Sequence, residues 1–136
     1  MKTVFVDTSA FYAAMDATES NHAPSLDWFR RADQEEWSLL THNYVAHETW
    51  ALLQARLGCS AVERWERVLL ARCEIVWVDA MLHSLGASRC RQAKARRLSL
   101  TDCVSIELMR REGVRFALAY DDHFRSEGID LPPGSQ

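Results

Sequence analysis

The sequence is poor in turn-forming residues and has no long apolar run. Only five glycines and three prolines occur among its 136 residues, which excludes collagen-like and Pro/Gly-rich disordered chains. The first apolar stretch, 4–6, ends at Asp7, well short of the roughly 7–15 apolar residues of a signal peptide. No run approaches the roughly 18 residues needed to cross a bilayer. We therefore expect a cytoplasmic protein.

The cysteines lack the spacing of a metal or disulfide framework. There are four of them, and none forms a C-x-x-C pair: Cys59, Cys73, Cys90 and Cys103. In a reducing compartment we expect small, mostly buried thiols. No His/Cys cluster predicts a zinc site.

A surplus of basic charge is also absent from the chain as a whole. The formal net charge is −3 at pH 7, so the whole surface does not attract nucleic acid. One local basic segment nevertheless contains no acid: Arg89, Arg91, Lys94, Arg96 and Arg97. Either this is a solvated helix face, or it guides an RNA backbone, because screening makes electrostatics local.

What the sequence does contain is an alternation of strand and helix patterns. Apolar residues make up 48% of the chain, enough for one core, and the length suits one domain over residues 1–136. Strand-like segments at 2–6, 37–41, 74–78 and 116–120 are separated by helical stretches. This pattern predicts a three-layer α/β/α sandwich with a mostly parallel sheet of four to five strands, the fifth being a short edge strand in the tail.

Acidic residues follow three of these strands. Ligands collect at the carboxyl ends of parallel strands, so Asp7 and Asp121 are candidate site residues. Asp7 would also suit a helix cap, and Asp121 would also suit a turn. Asp122 and the neighbouring His123 fit a turn or surface position, and Asp79 is interpreted as a helix cap.

Two further acids lie on predicted helices. The neighbours of Glu48 at three and four positions are apolar, which predicts that it projects from the core-facing side. There it would either pair with a cationic group or bind a metal ion. Asp102 follows Thr101 at a helix start, where it would complete a capping box with Ser99 or act as a ligand.

A right-handed α/β sheet could bring these acids into one crevice. Carboxylates packed closely raise one another's pKa unless a cation neutralises them. Oxygen ligands suit hard cations. The predicted site therefore holds Mg²⁺ or Mn²⁺.

Four motifs in order resemble the PIN domain, most closely the VapC-type toxin ribonucleases. They are FVDTSA around Asp7, the helix around Glu48, LSLTDC around Asp102, and LAYDDHF around Asp121. The resemblance covers essentially the whole chain. It implies a sheet order of 3-2-1-4-5 and places Asp7, Glu48, Asp102 and Asp121 at the family's acidic metal positions.

The same resemblance implies an activity and partners. It implies metal-dependent hydrolysis of RNA phosphodiester bonds, leaving a 5′-phosphate and a 3′-hydroxyl. It also implies a cognate VapB-like antitoxin and a homodimer. Three alternatives remain open: an RNA-processing PIN nuclease outside any toxin–antitoxin pair, a non-catalytic PIN scaffold, and a receiver-type phosphoacceptor domain.

Overall fold

The computed structural model describes residues 2–94 and 98–135. Four strands form its sheet: β1 (Thr3–Val6), β2 (Ser38–His42), β3 (Cys73–Val76) and β4 (Phe116–Leu118). Six α-helices connect or follow them: α1 (Thr8–Met15), α2 (His22–Gln34), α3 (Asn43–Leu57), α4 (Cys59–Val68), α5 (Ala80–Ala93) and α6 (Leu100–Glu112). No helix within the described residues is both long and apolar enough to traverse a bilayer.

The sheet is parallel throughout, and its order is β3-β2-β1-β4. The predicted fifth position is occupied by a single parallel bridge between Phe116 and Asp130. The α/β class and the strand order are thus confirmed. The fifth strand is reduced to one bridge beside β4.

The connections between strands explain the three layers. The chain moves from β1 to β2 and then to β3 in one direction, and then returns past both to β4. Right-handed crossovers therefore place α1–α4 on one face and α5–α6 on the other. The helices pack accordingly, since α1 contacts α2, α3 and α4, while α5 packs on α6.

Helices α5 and α6 pack against each other, and this packing depends on a glycine. A Cβ atom at Gly86 would lie 2.4 Å from Cγ2 of Val104, so only glycine fits there without a shift. The approach seats α6 firmly against α5. It fixes the beginning of α6, which carries Thr101 and Asp102.

Strand β1 is the centre of the core and leads directly to the site. Val4, Phe5 and Val6 are fully buried. Val6 pairs with Leu118 of β4, and the backbone N–H of Asp7 donates to the carbonyl of Leu118 at 3.1 Å. The residues that follow β1 and β4 therefore emerge side by side at one edge of the sheet.

Candidate active site

Asp7 lies at this edge and caps α1. Its Oδ2 accepts hydrogen bonds from the backbone N–H of Ser9 at 3.2 Å and from the Ser9 hydroxyl at 2.8 Å. The residue is only 4% exposed. The helix-cap interpretation is correct, but a cap alone does not require such burial.

The pKa of Asp7 shows that other acids are near. Burial, followed by the negative charge of Asp121, raises the pKa of Asp7 from 3.8 to about 7. The hydrogen bond from Ser9 lowers the pKa, and the charge of Asp102 raises it further. The structure therefore brings Asp7, Asp102 and Asp121 into one electrostatic neighbourhood, as the sequence predicted.

Asp102 lies in the first turn of α6, where it completes the helix cap. The region around Asp7, Asp102 and Asp121 is called the acidic cleft here. The Ser99 hydroxyl accepts from the N–H of Asp102 at 3.0 Å, and Oδ2 of Asp102 accepts from the N–H of Ser99 at 3.1 Å. This completes the expected capping box. The same Oδ2 lies 2.8 Å from Nδ1 of His123.

The structure distinguishes Asp121 from Asp122. Burial is the largest cause that raises the pKa of Asp121, His123 opposes it, and the charge of Asp102 raises it further. The Asp122 side chain is 77% exposed, with one oxygen 3.9 Å from Nη1 of Arg125. Asp121 therefore belongs to the acidic cleft, while Asp122 points to solvent.

Glu48 lies on the exposed surface of α3 and not in the core. The buried residues of α3 are Val45, Thr49 and Leu53, and Glu48 is exposed. The predicted core-facing position was wrong, because its apolar neighbours Tyr44 and Ala51 line a surface groove instead.

Glu48 still joins the acidic cluster through its carboxyl end. Desolvation raises its pKa first, the charge of Asp102 raises it next, and the Thr101 side chain partly offsets both as a hydrogen-bonding neighbour. Asp121 adds a smaller effect. The charges of Asp102 and Asp121 thus act on both Asp7 and Glu48.

The carboxylate oxygens of the four acids do not form a ready-made metal-coordination shell. Among residues 2–94 and 98–135, no three His, Cys, Asp or Glu side chains stand close enough to constitute a ready-made metal-binding group. The chemistry of the donor set nevertheless fits a hard cation, because all four acids supply oxygen. A divalent ion would also relieve the repulsion that raises the pKa of Asp7.

Two residues near the acids escaped the sequence interpretation. Ser9 links Asp7 to the segment that follows β4, since its hydroxyl donates to Asp7 and accepts from the N–H of Tyr120 at 3.0 Å. His123 was assigned to a turn, yet its ring contacts Asp102. The turn itself is real, because Oδ1 of Asp121 accepts from the N–H of His123 at 3.3 Å.

In the basic segment, the first arginine is paired with acids. The Arg89 guanidinium is held by Glu107 at 2.8 Å and Glu127 at 3.3 Å. Arg91 and Lys94 are exposed at the end of α5. Arg96 and Arg97 lie outside the described residues. RNA contact by this segment stays a prediction, now centred on Arg91 and Lys94.

Asp79 behaves as predicted, although it follows a strand as Asp7 does. Its Oδ1 accepts from the N–H of Leu82 at 2.9 Å and caps α5. Because β3 is an edge strand, its end is separated from that of β1 by β2. Asp79 therefore serves as an internal reference for a strand-end acid outside the cleft.

Comparisons of the sequence and of the structure find the same relative. The chain is 29% identical to the 23S rRNA-specific endonuclease VapC20 of Mycobacterium tuberculosis, over 93% of this chain and 95% of that protein. The crystal structure of that VapC20, described as a toxin that cleaves the sarcin-ricin loop, superposes with a TM-score of 0.81 at 28% identity, covering 93% and 95% of the two chains.

Two more distant structures share the fold. VapBC2 of Rickettsia felis, bound to a DNA fragment from its promoter, matches with a TM-score of 0.67 at 11% identity, over 96% of this chain and 97% of that one. FitAcB of Neisseria gonorrhoeae matches with a TM-score of 0.66 at 13% identity and the same coverage. The PIN domain itself matches residues 4–127. With its acidic cleft at the end of β1 and β4, the chain belongs to the PIN domain family.

Proposed function

We propose that this protein is a Mg²⁺- or Mn²⁺-dependent endoribonuclease and the toxin of a type II toxin–antitoxin pair. The observation that carries the proposal is the state of Asp7, an almost fully buried acid whose pKa of about 7 reflects burial and the nearby charges of Asp121 and Asp102. Such repulsion does not stabilise the folded state, whereas it favours the binding of a cation.

The acids have distinct proposed roles. In Asp7 and Asp102 the described hydrogen bonds reach Oδ2, which leaves Oδ1 of each for the ion. We assign these two residues as direct ligands. Glu48 and Asp121 complete the site, directly or through water. An ion held there would lower the pKa of its bound water and offset the charge of the scissile phosphate.

The remaining residues hold this arrangement. Ser9 fixes Asp7 relative to the backbone that follows β4. Above pH 7 the Asp7 proton is lost and the carboxylate becomes available to the ion. We place RNA along the cleft between Glu48 and Asp121, with Arg91 and Lys94 as outlying phosphate contacts.

The substrate proposal rests on the relative with 29% identity, which is named as a 23S rRNA-specific endonuclease. We propose a looped RNA as the substrate, because splayed bases and backbone can enter a cleft. A hairpin with the sarcin-ricin loop sequence is the first RNA to test. A VapB-like antitoxin is the proposed partner, and we also propose a homodimer.

The decisive experiment compares wild type, Asp7→Asn and Asp79→Asn on total RNA with Mg²⁺, Mn²⁺ or EDTA. Both substitutions preserve a helix-capping side chain, so only the cleft differs. The cleavage rate of Asp7→Asn should be more than about 100-fold lower than that of wild type. This loss is larger than that expected from removing a hydrogen-bond partner of a metal ligand. Asp79→Asn should match wild type, and EDTA should stop cleavage. Metal-independent cleavage would contradict the mechanism.

The toxin role has its own test. Induced wild type should arrest bacterial growth, Asp7→Asn should not, and co-expression of a small DNA-binding protein encoded next to the gene should restore growth. Cleavage in vitro without growth arrest would instead identify an RNA-processing nuclease.

A further inference from the structure

A fully buried histidine connects two of the helices that carry the acids. His42 ends β2, and its exposed surface is zero. It caps α3, where its Nδ1 accepts the backbone N–H of Val45 at 3.3 Å. On the other side of the ring, Nε2 lies 2.8 Å from the hydroxyl of Ser105 on α6.

The backbone partner fixes the tautomer. Because an N–H group donates to Nδ1, that nitrogen is unprotonated and Nε2 carries the hydrogen. Nε2 therefore donates to Ser105, and the Ser105 hydroxyl donates to the carbonyl of Thr101 at 2.9 Å. Burial lowers the pKa of His42 to about 4, so the ring is neutral at neutral pH.

The ring is also held in place by its neighbours. The Phe5 ring lies 5.5 Å from it at 37°, and the Tyr44 ring lies 5.9 Å from it at 89°. An unbroken hydrogen-bonded path therefore runs from the first turn of α3, through His42 and Ser105, to the first turn of α6. Glu48 lies on α3, and Asp102 follows Thr101 on α6.

Capping alone does not explain a histidine at this position. Serine, threonine, aspartate or asparagine would cap the helix with a smaller side chain. None of them reaches as far as the imidazole, which spans from Val45 to Ser105. The imidazole ring differs from these side chains because both of its nitrogens make hydrogen bonds, one to each helix.

We propose that His42 and Ser105 form a positioning pair that sets the separation between Glu48 and Asp102. This role rests on the proposed nuclease function, since it concerns the geometry of the same site. His42 touches neither the acids nor the substrate. It acts through the helix starts that carry them.

The test separates capping from the connection to α6. His42→Ser retains a cap but cannot reach Ser105, while Ser105→Ala retains the cap and removes the acceptor. Each should lower kcat on the RNA hairpin about 10-fold or more, as removal of outer partners does elsewhere. KM for RNA should stay within about 2-fold, and the double variant should lose no more than either single variant.

Ser25→Ala is the matched control. Ser25 is another fully buried serine, and its hydroxyl donates to the carbonyl of Ala10 at 2.8 Å. This variant should be destabilised similarly and retain kcat. An equal loss of kcat in Ser25→Ala, unchanged kcat in His42→Ser, or additive losses would overturn the proposed pair.

A second measurement does not depend on activity. Long-range ¹H–¹⁵N correlation of the metal-free protein should show His42 with its proton on Nε2, and a proton on Nδ1 would overturn the inference. Mn²⁺ affinity should fall in His42→Ser and not in Ser25→Ala, which tests the pair even if wild type cleaves no RNA. In that case the nuclease proposal alone fails.

Discussion

The ring of His123 lies against the carboxylate of Asp102, with Nδ1 2.8 Å from Oδ2, although 21 positions separate them in the chain. The same residue donates its backbone N–H to Asp121. His123 thus contacts two acids, one in the first turn of α6 and one after β4. Such a partner orients a ligating carboxylate and restricts its rotation.

We therefore expect His123→Ala to weaken Mn²⁺ binding about 10-fold, because Asp102 loses the group that orients it. His123→Asn should lose less, since its amide can still donate a hydrogen bond. Isothermal titration at one pH measures both. His83→Ala is the control, because Nδ1 of His83 meets the Tyr44 hydroxyl at 2.6 Å and none of the acids. Tighter Mn²⁺ binding in His123→Ala would mean that the imidazole competes with the ion.

The second prediction compares the adjacent residues Asp121 and Asp122, so that one variant serves as the control for the other. Asp121→Asn should reduce kcat more than about 100-fold, because it removes a charge that acts on Asp7 and a proposed ligand oxygen. Asp122→Asn should stay within about 3-fold of wild type, because its side chain is exposed beside Arg125. Single-turnover cleavage of the RNA hairpin compares them. Equal losses in the two variants would remove Asp121 from the proposed site.

A third prediction concerns four exposed apolar residues, Trp50, Trp77, Met81 and Leu85, which we propose form one apolar patch. Trp77 and Met81 are 74% and 72% exposed. Trp50 and Trp77 line one groove of about 1440 Å³, and Met81 and Leu85 are one turn apart on α5. Exposed apolar side chains of this size are typical of an interface, so we assign the patch to the proposed homodimer.

Sedimentation analysis should find a dimer for wild type and a monomer for the Trp77→Glu/Met81→Glu variant. Val68→Glu is the control, since Val68 is an exposed apolar residue on α4 outside the patch. It should remain dimeric. A monomeric wild type at about 100 μM, a concentration at which a stable interface would be filled, would exclude this assignment.

Most element boundaries were predictable because their signals are local, whereas the strand order was implied by the resemblance to the PIN domain. Segments 2–6 and 116–120 contain β-branched and aromatic residues, and each ends at an acid or a turn. Gly58 and Gly113 end α3 and α6 with positive φ values of 92° and 67°, as glycine after a helix predicts. Asp79 was correctly interpreted as a helix cap, because its side chain accepts the backbone N–H of Leu82.

The predictions that were wrong or missing involve contacts between segments that are distant in the sequence. Glu48 has apolar neighbours along α3, but spacing does not reveal whether such neighbours meet the core or line a groove. His123 has a local turn signal that hides its contact with Asp102. His42 lies between a strand and a helix, and no local pattern indicates that its ring would reach Ser105, 63 positions away.

The last prediction follows from the raised pKa of Asp7. In the metal-free protein, folded Asp7 keeps its proton up to about pH 7, whereas in the unfolded chain it loses that proton near 3.8. The resulting stabilisation is complete below about pH 4 and disappears as the pH rises through 7. Asp7→Asn does not titrate, so it lacks this dependence.

Urea unfolding in EDTA at pH 5 and pH 8 measures the effect. Relative to Asp7→Asn, wild type should lose on the order of 2–3 kcal/mol of unfolding free energy between these values. Mn²⁺ at pH 8 should restore stability to wild type more than to the variant, because the ion binds the carboxylate that the proton has left. The pH dependence of Asp79→Asn should follow wild type. If wild type and Asp7→Asn change in parallel with pH, then Asp7 is not the strained acid that a cation site requires.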